Sequence, residues 1–379
     1  MNIGIDIKAF MYGSTGISRY IRCILDELQQ IDTANHYYLF ECRKSDYAPV
    51  NPNWRVITYN RKLPGTLWQQ FILPGLLKKY GINVLWAPEQ ICPLFGVPAG
   101  TKIATTVHDF TARRYPKMIR PLSRTIKKIL IPRTVKKSAA LLPVSEWIKN
   151  ELAEFYPHVK STPTIVRVVG NAVKEWRDDI AGFILKRENF LFCPGNLEPR
   201  KNHLRLIKAL DIVNDSGFNI NLRLSGPCGW DNAELLRQIK SGPVSSRIEY
   251  LGFISDEELL KQYLTSAAVV FPSLYEGFGI PVLEALKLNT PVLTSRGTVM
   301  EEIAGENALY FDPYDVNSIA GTIISFLKTG GPVISRSSLD RYSWRRSAEN
   351  LLAVFEELGQ RGQPTPFSKQ THGSDYADT

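Results

Sequence analysis

The chain is short of the residues that build metal centres and cross-linked scaffolds. Its five cysteines, Cys23, Cys42, Cys92, Cys193 and Cys228, include no C-x-x-C pair, which argues against a disulfide framework and a zinc site. Buried thiols are the expectation. The five histidines show no ligand spacing, and no D-x-D pair stands ready to hold a metal against a diphosphate. No run reaches the ~18 apolar residues of a membrane span, and Asp6 falls where a signal peptide needs an apolar core, so a cytoplasmic chain is expected. A full G-x-G-x-x-G with its following acid is missing, which argues against a nicotinamide site, and no internal repeat stands out.

Acid is absent from one long stretch. Residues 113–137 hold Arg113, Arg114, Lys117, Arg120, Arg124, Lys127, Lys128, Arg133, Lys136 and Lys137 without a carboxylate, in a chain of formal charge +9. Leu122, Ile126, Ile129 and Leu130 recur there at helical spacing, so an amphipathic helix ended or kinked by Pro132 is expected. Such a helix suits an anionic membrane surface, and equally a solvated exterior over a core. Nucleic acid is not expected, because no recognition module accompanies the charge.

What is present is alternation. Short apolar strands (2–7, 37–42, 55–59, 84–87, 102–107, 140–144 and 165–169) are separated by helical patterns, and a second series follows at 190–193, 221–224, 248–251, 268–271, 292–294 and 308–311. The fold class is therefore α/β, with two doubly wound Rossmann-like domains whose parallel sheets face across a cleft. Residues 1–175 form the first domain and 176–342 the second, with the boundary within 171–187. A helix over 343–358 carries Trp344, Ala348, Leu351, Leu352, Phe355 and Leu358 on its apolar side, and residues 359–379 are polar enough to be disordered.

The ends of these strands carry the chemistry. Glu276-Gly277-Phe278-Gly279-Ile-Pro281-Val-Leu-Glu284 lies between a strand and a helix. Two carboxylates there can grip hydroxyls, and exposed amides at the helix N-terminus favour an anion. A sugar joined to a diphosphate fits both features, although the acids could also merely complement the helix dipole. Gly195-Asn196-Leu-Glu198-Pro199-Arg200-Lys201-Asn202 closes another strand, placing two cations beside the crevice and Asn202 as N-cap. In the first half, Gly13-Ser14-Thr15-Gly16 forms a loop over the cleft before a helix through Ile21, Ile24, Leu25 and Leu28. His108-Asp109 ends the strand 102–107, where His108 can reach a sugar and Asp109 can fix its tautomer or hold a loop.

Together with Pro143-Val-Ser145, Gly170-Asn171-Ala172-Val173, Leu224-Ser225-Gly226-Pro227, Leu251-Gly252-Phe253 and Pro291 to Ser295, these motifs run in an order that resembles the retaining glycosyltransferases of family 4, which have the GT-B fold. The likeness covers nearly the whole chain. It implies transfer of a hexosyl group from a nucleotide sugar to a hydroxyl with configuration kept. It assigns Glu276 to donor-sugar hydroxyls, Glu284 to the ribose, Lys201 to the diphosphate and His108 to the neighbourhood of the sugar. Gly16 would approach the phosphates from the other domain, Phe253 would lie where backbone meets the base, and Gly226, Gly277, Phe278 and Gly279 would complete the donor site. The helix 343–358 would pack back on the first domain.

The sequence departs from the family at Asn196, where many members carry Arg, so Arg200 would share the phosphate role. The variant is similar to mannosyltransferases of bacterial polysaccharide and O-antigen assembly. That implies GDP-mannose as donor, no metal or other cofactor, and a glycan or polyprenyl-diphosphate-linked acceptor. The protein would work in the cytoplasm, peripheral to the inner face of the plasma membrane. Three rival readings remain: a UDP-sugar donor, an epimerase or phosphorylase on the same fold, and an idle scaffold of a polysaccharide complex.

Overall fold

Apolar strands without alternation must be covered on both faces, and parallel sheets flanked by helices do this. The computed structural model describes residues 1–13, 15–59, 63–173 and 186–361. Among the described residues two such sheets form. The first contains β1 (Asn2–Asp6), β2 (His36–Glu41), β3 (Trp54–Thr58), β4 (Val84–Ala87), β5 (Lys102–Val107), β6 (Ala140–Pro143) and β7 (Ile165–Val166), in the order β3-β2-β1-β4-β5-β6-β7. The second contains β8 (Phe190–Pro194), β9 (Asn221–Ser225), β10 (Ile248–Gly252), β11 (Ala268–Phe271), β12 (Val292–Ser295) and β13 (Ala308–Phe311), in the order β10-β9-β8-β11-β12-β13. Every pairing is parallel.

Strand order reverses between β1 and β4 in the first sheet and between β8 and β11 in the second. Connections leave these neighbours toward opposite sides, which opens a crevice beyond their carboxyl ends. The chain that emerges there is Lys8 after β1, Glu89 after β4, His108 after β5, Gly195 after β8 and Ser273–Glu276 after β11. His108, the Gly195–Asn202 motif and Glu276 therefore sit at strand ends.

Two helices tie the halves together. The helix Gly16–Ile31 starts on Thr15, whose side chain and that of Ser18 exchange capping hydrogen bonds, and it buries Ile21, Ile24, Leu25 and Leu28. The last helix, Trp344–Gln360, is capped by Ser343 and packs on Gly16–Ile31, on β4 and on β5. Its Phe355 ring lies 6.5 Å from Trp86, Trp344 lies 6.0 Å from Tyr20, and Ser347 Oγ donates to Gly170 O at 2.9 Å. The chain thus crosses back to the first sheet after completing the second. Residues 359 and 360 still belong to this helix rather than to the expected tail. Residues 362–379, like 174–185 at the expected boundary, lie outside the described residues.

The basic segment differs from expectation. The helix Pro121–Lys137 runs through Pro132 to Lys137, and the residues it buries are Ile131, Thr134 and Val135 in its last turns. Leu122 and Ile129, assigned to the apolar side by spacing, are 74% and 47% exposed. Only the last turns of the helix place residues in the core; Leu122 and Ile129 meet solvent, while Ile126 and Leu130 are half-buried.

Candidate active site

The centre of the site is a charge cluster between the ends of β8 and β11. Arg200 Nη1 and Lys201 Nζ lie 2.5 and 2.7 Å from the same carboxylate oxygen of Glu276, to which Ser273 Oγ also donates at 2.5 Å. Arg200 further donates to Tyr275 O at 2.8 Å and stands 3.6 Å from Glu198. Burial alone would raise the Glu276 carboxyl, but the two cations hold it at about 2. Lys201 is itself lowered, chiefly by burial and then by Arg200 beside it. The carboxylate is the anchor of this cluster, and the cations are drawn out of water by it.

Backbone shape makes room for these side chains. Gly195 has φ 127° and Gly226 φ 125°, and a Cβ on Gly226 would overlap the Gly195 carbonyl. Asn202 begins the helix His203–Asp215, but it sits at φ 62° and makes no side-chain cap, contrary to expectation. Its Nδ2 donates instead to Pro272 O at 3.1 Å and Pro313 O at 2.8 Å, pinning the Lys201 loop to the end of β11. Asn tolerates the left-handed region better than most residues, which explains its use there.

Glu284, in the helix Ile280–Lys287, is 4% exposed and accepts a hydrogen bond from Tyr263 Oη at 2.7 Å. Burial pushes its carboxyl up to about 7, against the pull of Tyr263 and Arg19. Arg19 of the first domain lies 4.0 Å from Glu284 and 3.1 Å from Asp256. Gly279 caps the helix at φ 108°, where a Cβ would lie 2.6 Å from Met300 Sδ. Phe278 is buried against Tyr342, so only its backbone is available to a ligand. Asn196 is exposed, with Nδ2 3.4 Å from Glu198, and the Phe253 side chain is 81% exposed at the end of β10.

Across the cleft, His108 Nε2 lies 2.7 Å from Pro88 O. A carbonyl only accepts, so Nε2 carries the proton, and burial lowers the imidazole so that it stays neutral. Nδ1 is then the acceptor. Pro88, not Asp109, sets the tautomer; the Asp109 carboxylate accepts from Thr111 N at 2.8 Å and holds the loop. Burial would raise Asp109, but Lys127 and the Thr111 hydrogen bonds lower it. Gly16 is the exposed first residue of its helix.

The domains touch around these residues. Gly277 is so close to His108 that a Cβ there would overlap the His108 carbonyl, while Ser145 Oγ donates to Gly277 O at 2.9 Å. Tyr275 Oη accepts from Phe110 N at 2.8 Å and donates to Glu151 at 2.5 Å. The Glu302 carboxylate accepts from the amides of Glu146 and Trp147 at the start of the helix Glu146–Phe155. The cleft is therefore closed over His108, Glu276 and Lys201.

Sequence reasoning missed a second buried cluster at the first switch point. Lys8 Nζ lies 3.2 Å from Asp6 and 2.5 Å from Glu89, and Gln69 Nε2 donates to Asp6 at 2.7 Å. Asp6 and Lys8 are almost fully buried. A charged pair two residues apart at a strand end was the only signal for it. Arg19, Tyr275, Glu151 and Glu302 were missed because the partners they meet across the cleft lie more than a hundred residues away.

Residues 174–346 match the family model described as Glycosyl transferases group 1. The O-antigen chain mannosyltransferase B of Escherichia coli is 29% identical over 60% of this chain, and the O-antigen chain mannosyltransferase RfbU of Salmonella typhimurium is 32% identical over 56%. These alignments span 61% and 57% of the relatives' own lengths. The fold is GT-B: the sucrose-phosphate synthase of Thermosynechococcus elongatus superposes with TM-score 0.64 at 17% identity, covering 95% of this chain and 97% of that one. The Anabaena protein HepE, solved with UDP and glucose, does so with TM-score 0.67 at 15% identity, over 94% and 100%.

Proposed function

We propose that the protein is a retaining glycosyltransferase of family 4 that moves a mannosyl group from GDP-mannose to a hydroxyl of a lipid-linked glycan in O-antigen or related polysaccharide synthesis. The observation that carries this reading is the Arg200–Lys201–Glu276 cluster at a strand switch point, closed against a neutral His108. The relatives named as O-antigen mannosyltransferases support the sugar and the setting. On this reading Glu276 and the amides after it hold the donor sugar. Lys201 and Arg200 turn toward the diphosphate, and Glu284 receives the ribose once Arg19 yields.

The bond between the anomeric carbon and the diphosphate oxygen breaks, with its electron pair leaving on the nucleotide. Lys201 and Arg200 stabilise that charge in a site from which closure excludes water. The acceptor oxygen bonds to the same face of the sugar while its proton passes to a diphosphate oxygen. Retention then needs no protein nucleophile. His108 Nδ1 accepts a hydrogen bond from a sugar hydroxyl and orients the ring. Fixed cations take the place of a divalent ion, so no metal is required. No helix among the described residues is long and apolar enough to cross a membrane. We place the protein on the inner face of the plasma membrane, held through residues 113–137.

The test is nucleotide release from GDP- and UDP-sugars with a lipid-linked acceptor. GDP-mannose is expected to be the preferred donor, activity to survive chelator, and Lys201→Ala to lose about 100- to 1,000-fold in kcat. Full activity of Lys201→Ala, loss of turnover in chelator restored by magnesium, or binding of no sugar nucleotide would overturn the reading.

A further inference from the structure

The loop that carries Glu276 is gripped by the first domain on both sides of that residue. On one side, Gly277 packs against the His108 carbonyl, and its own carbonyl accepts from Ser145 Oγ at 2.9 Å. On the other, the buried side chain of Tyr275 crosses the cleft. Its hydroxyl accepts from Phe110 N at 2.8 Å and donates to Glu151 at 2.5 Å, so both capacities of the phenol are used on the first domain. Glu151 is itself buried and paired with Arg114, whose Nε lies 2.8 Å away. The bond from Tyr275 is therefore charge-assisted, a class roughly twice as strong as a neutral hydrogen bond.

The other end of the same residue reaches the chemistry. Tyr275 O accepts from Arg200 Nη1 at 2.8 Å, and this nitrogen also meets Glu276. The Arg200 carbonyl in turn accepts from Leu274 N at 2.9 Å. Arg200 is thus held by the loop after β11, while Glu198 on its own segment stands 3.6 Å off. A shift of the loop carries the guanidinium with it.

We propose that Tyr275 is a positioning residue: its phenol, docked on Phe110 N and Glu151, fixes the loop so that its carbonyl holds Arg200 where the leaving diphosphate needs a cation. Closure of the cleft and alignment of that charge are then one event. With the domains apart the phenol loses both partners, the loop relaxes, and Arg200 follows it. Phe110 lies two residues beyond His108, and Tyr275 one residue before Glu276, so the contact joins the two strand ends that face each other across the cleft. That Arg200 serves a diphosphate rests on the proposed function, whereas the docking of Tyr275 does not.

Tyr275→Phe keeps the ring and removes the hydroxyl, and amide hydrogen exchange read by mass spectrometry follows the docking without any substrate. Exchange in the peptide that carries the Phe110 amide should quicken at least about tenfold, with the strands of both sheets unchanged. Turnover with sugar nucleotide and acceptor reads the coupling. Tyr275→Phe should lower kcat about 10- to 100-fold while the donor KM moves less than about threefold. Glu151→Gln, which weakens the same contact from the first domain, should reproduce this split. Combining Tyr275→Phe with Arg200→Gln should cost less than the product of the single effects, because the guanidinium has already lost its place. A tyrosine that merely stabilised the fold would lower the unfolding midpoint and leave kcat alone. Unchanged exchange at Phe110, an unchanged kcat, or effects that multiply would each overturn the proposal. If no sugar is transferred to any acceptor, the function proposed above falls, and the exchange measurement decides the docking by itself.

Discussion

The fold resists ionisation of Glu284. It is 4% exposed, its hydrogen-bond donor is a neutral tyrosine, and its nearest cation, Arg19, is 4.0 Å away and shared with Asp256. Its carboxyl rises from the ordinary 4.5 to about 7. At 1.36 kcal/mol per pH unit this difference corresponds to about 3 kcal/mol. The sign follows from proton counting: between the two values the folded chain holds a proton that the unfolded chain has lost, so stability is full below about 4.5 and declines as pH rises to about 7. Glu284→Gln keeps the shape and the acceptor for Tyr263 but cannot ionise. Guanidinium unfolding of both proteins, followed by tryptophan fluorescence from about pH 5 to about pH 8, isolates the effect, because other titrating groups cancel in the difference. The variant should match the wild type near pH 5 and exceed it by up to ~3 kcal/mol near pH 8. A difference that stays constant with pH would refute the argument. Under the proposed function, donor affinity should rise over the same interval, as the ionised carboxylate is the stronger acceptor for ribose hydroxyls.

Two further outcomes follow from backbone geometry. Gly277→Ala should leave each domain folded but force the cleft open, because the added methyl meets the His108 carbonyl rather than a movable side-chain tip; small-angle scattering should report a larger radius of gyration, with turnover greatly reduced, and an unchanged radius would contradict the closed packing. Asn202→Ala removes the bonds to Pro272 O and Pro313 O and puts alanine at φ 62°, so a loss of about 2–4 kcal/mol is expected by denaturant titration, with Asn202→Gly recovering part of it.

Taken residue by residue, the sequence alone determined which segments are strands and where the candidate catalytic groups lie along them. Val84–Ala87, Ala140–Pro143 and Phe190–Pro194 are continuous apolar runs because both faces of a parallel sheet are covered, and that composition is readable without coordinates. Motifs at strand ends inherit their position from this pattern, which is why His108, Lys201 and Glu276 were found together. Local signals failed where a distant partner decided the outcome. Asn202 has the composition of a helix cap, yet two carbonyls from Pro272 and Pro313 claim its amide. The basic helix has apolar residues at helical spacing, yet only its last turns find a core to enter, leaving Ile129 over a groove. Phe278 reads as part of a ligand loop, and Tyr342 draws its ring inside. Only the tertiary structure brought Arg19 to Glu284, Tyr275 to Glu151 and Gly277 to His108, because hydrogen bonding and desolvation across the cleft depend on which surfaces meet, and strand periodicity carries no information about that.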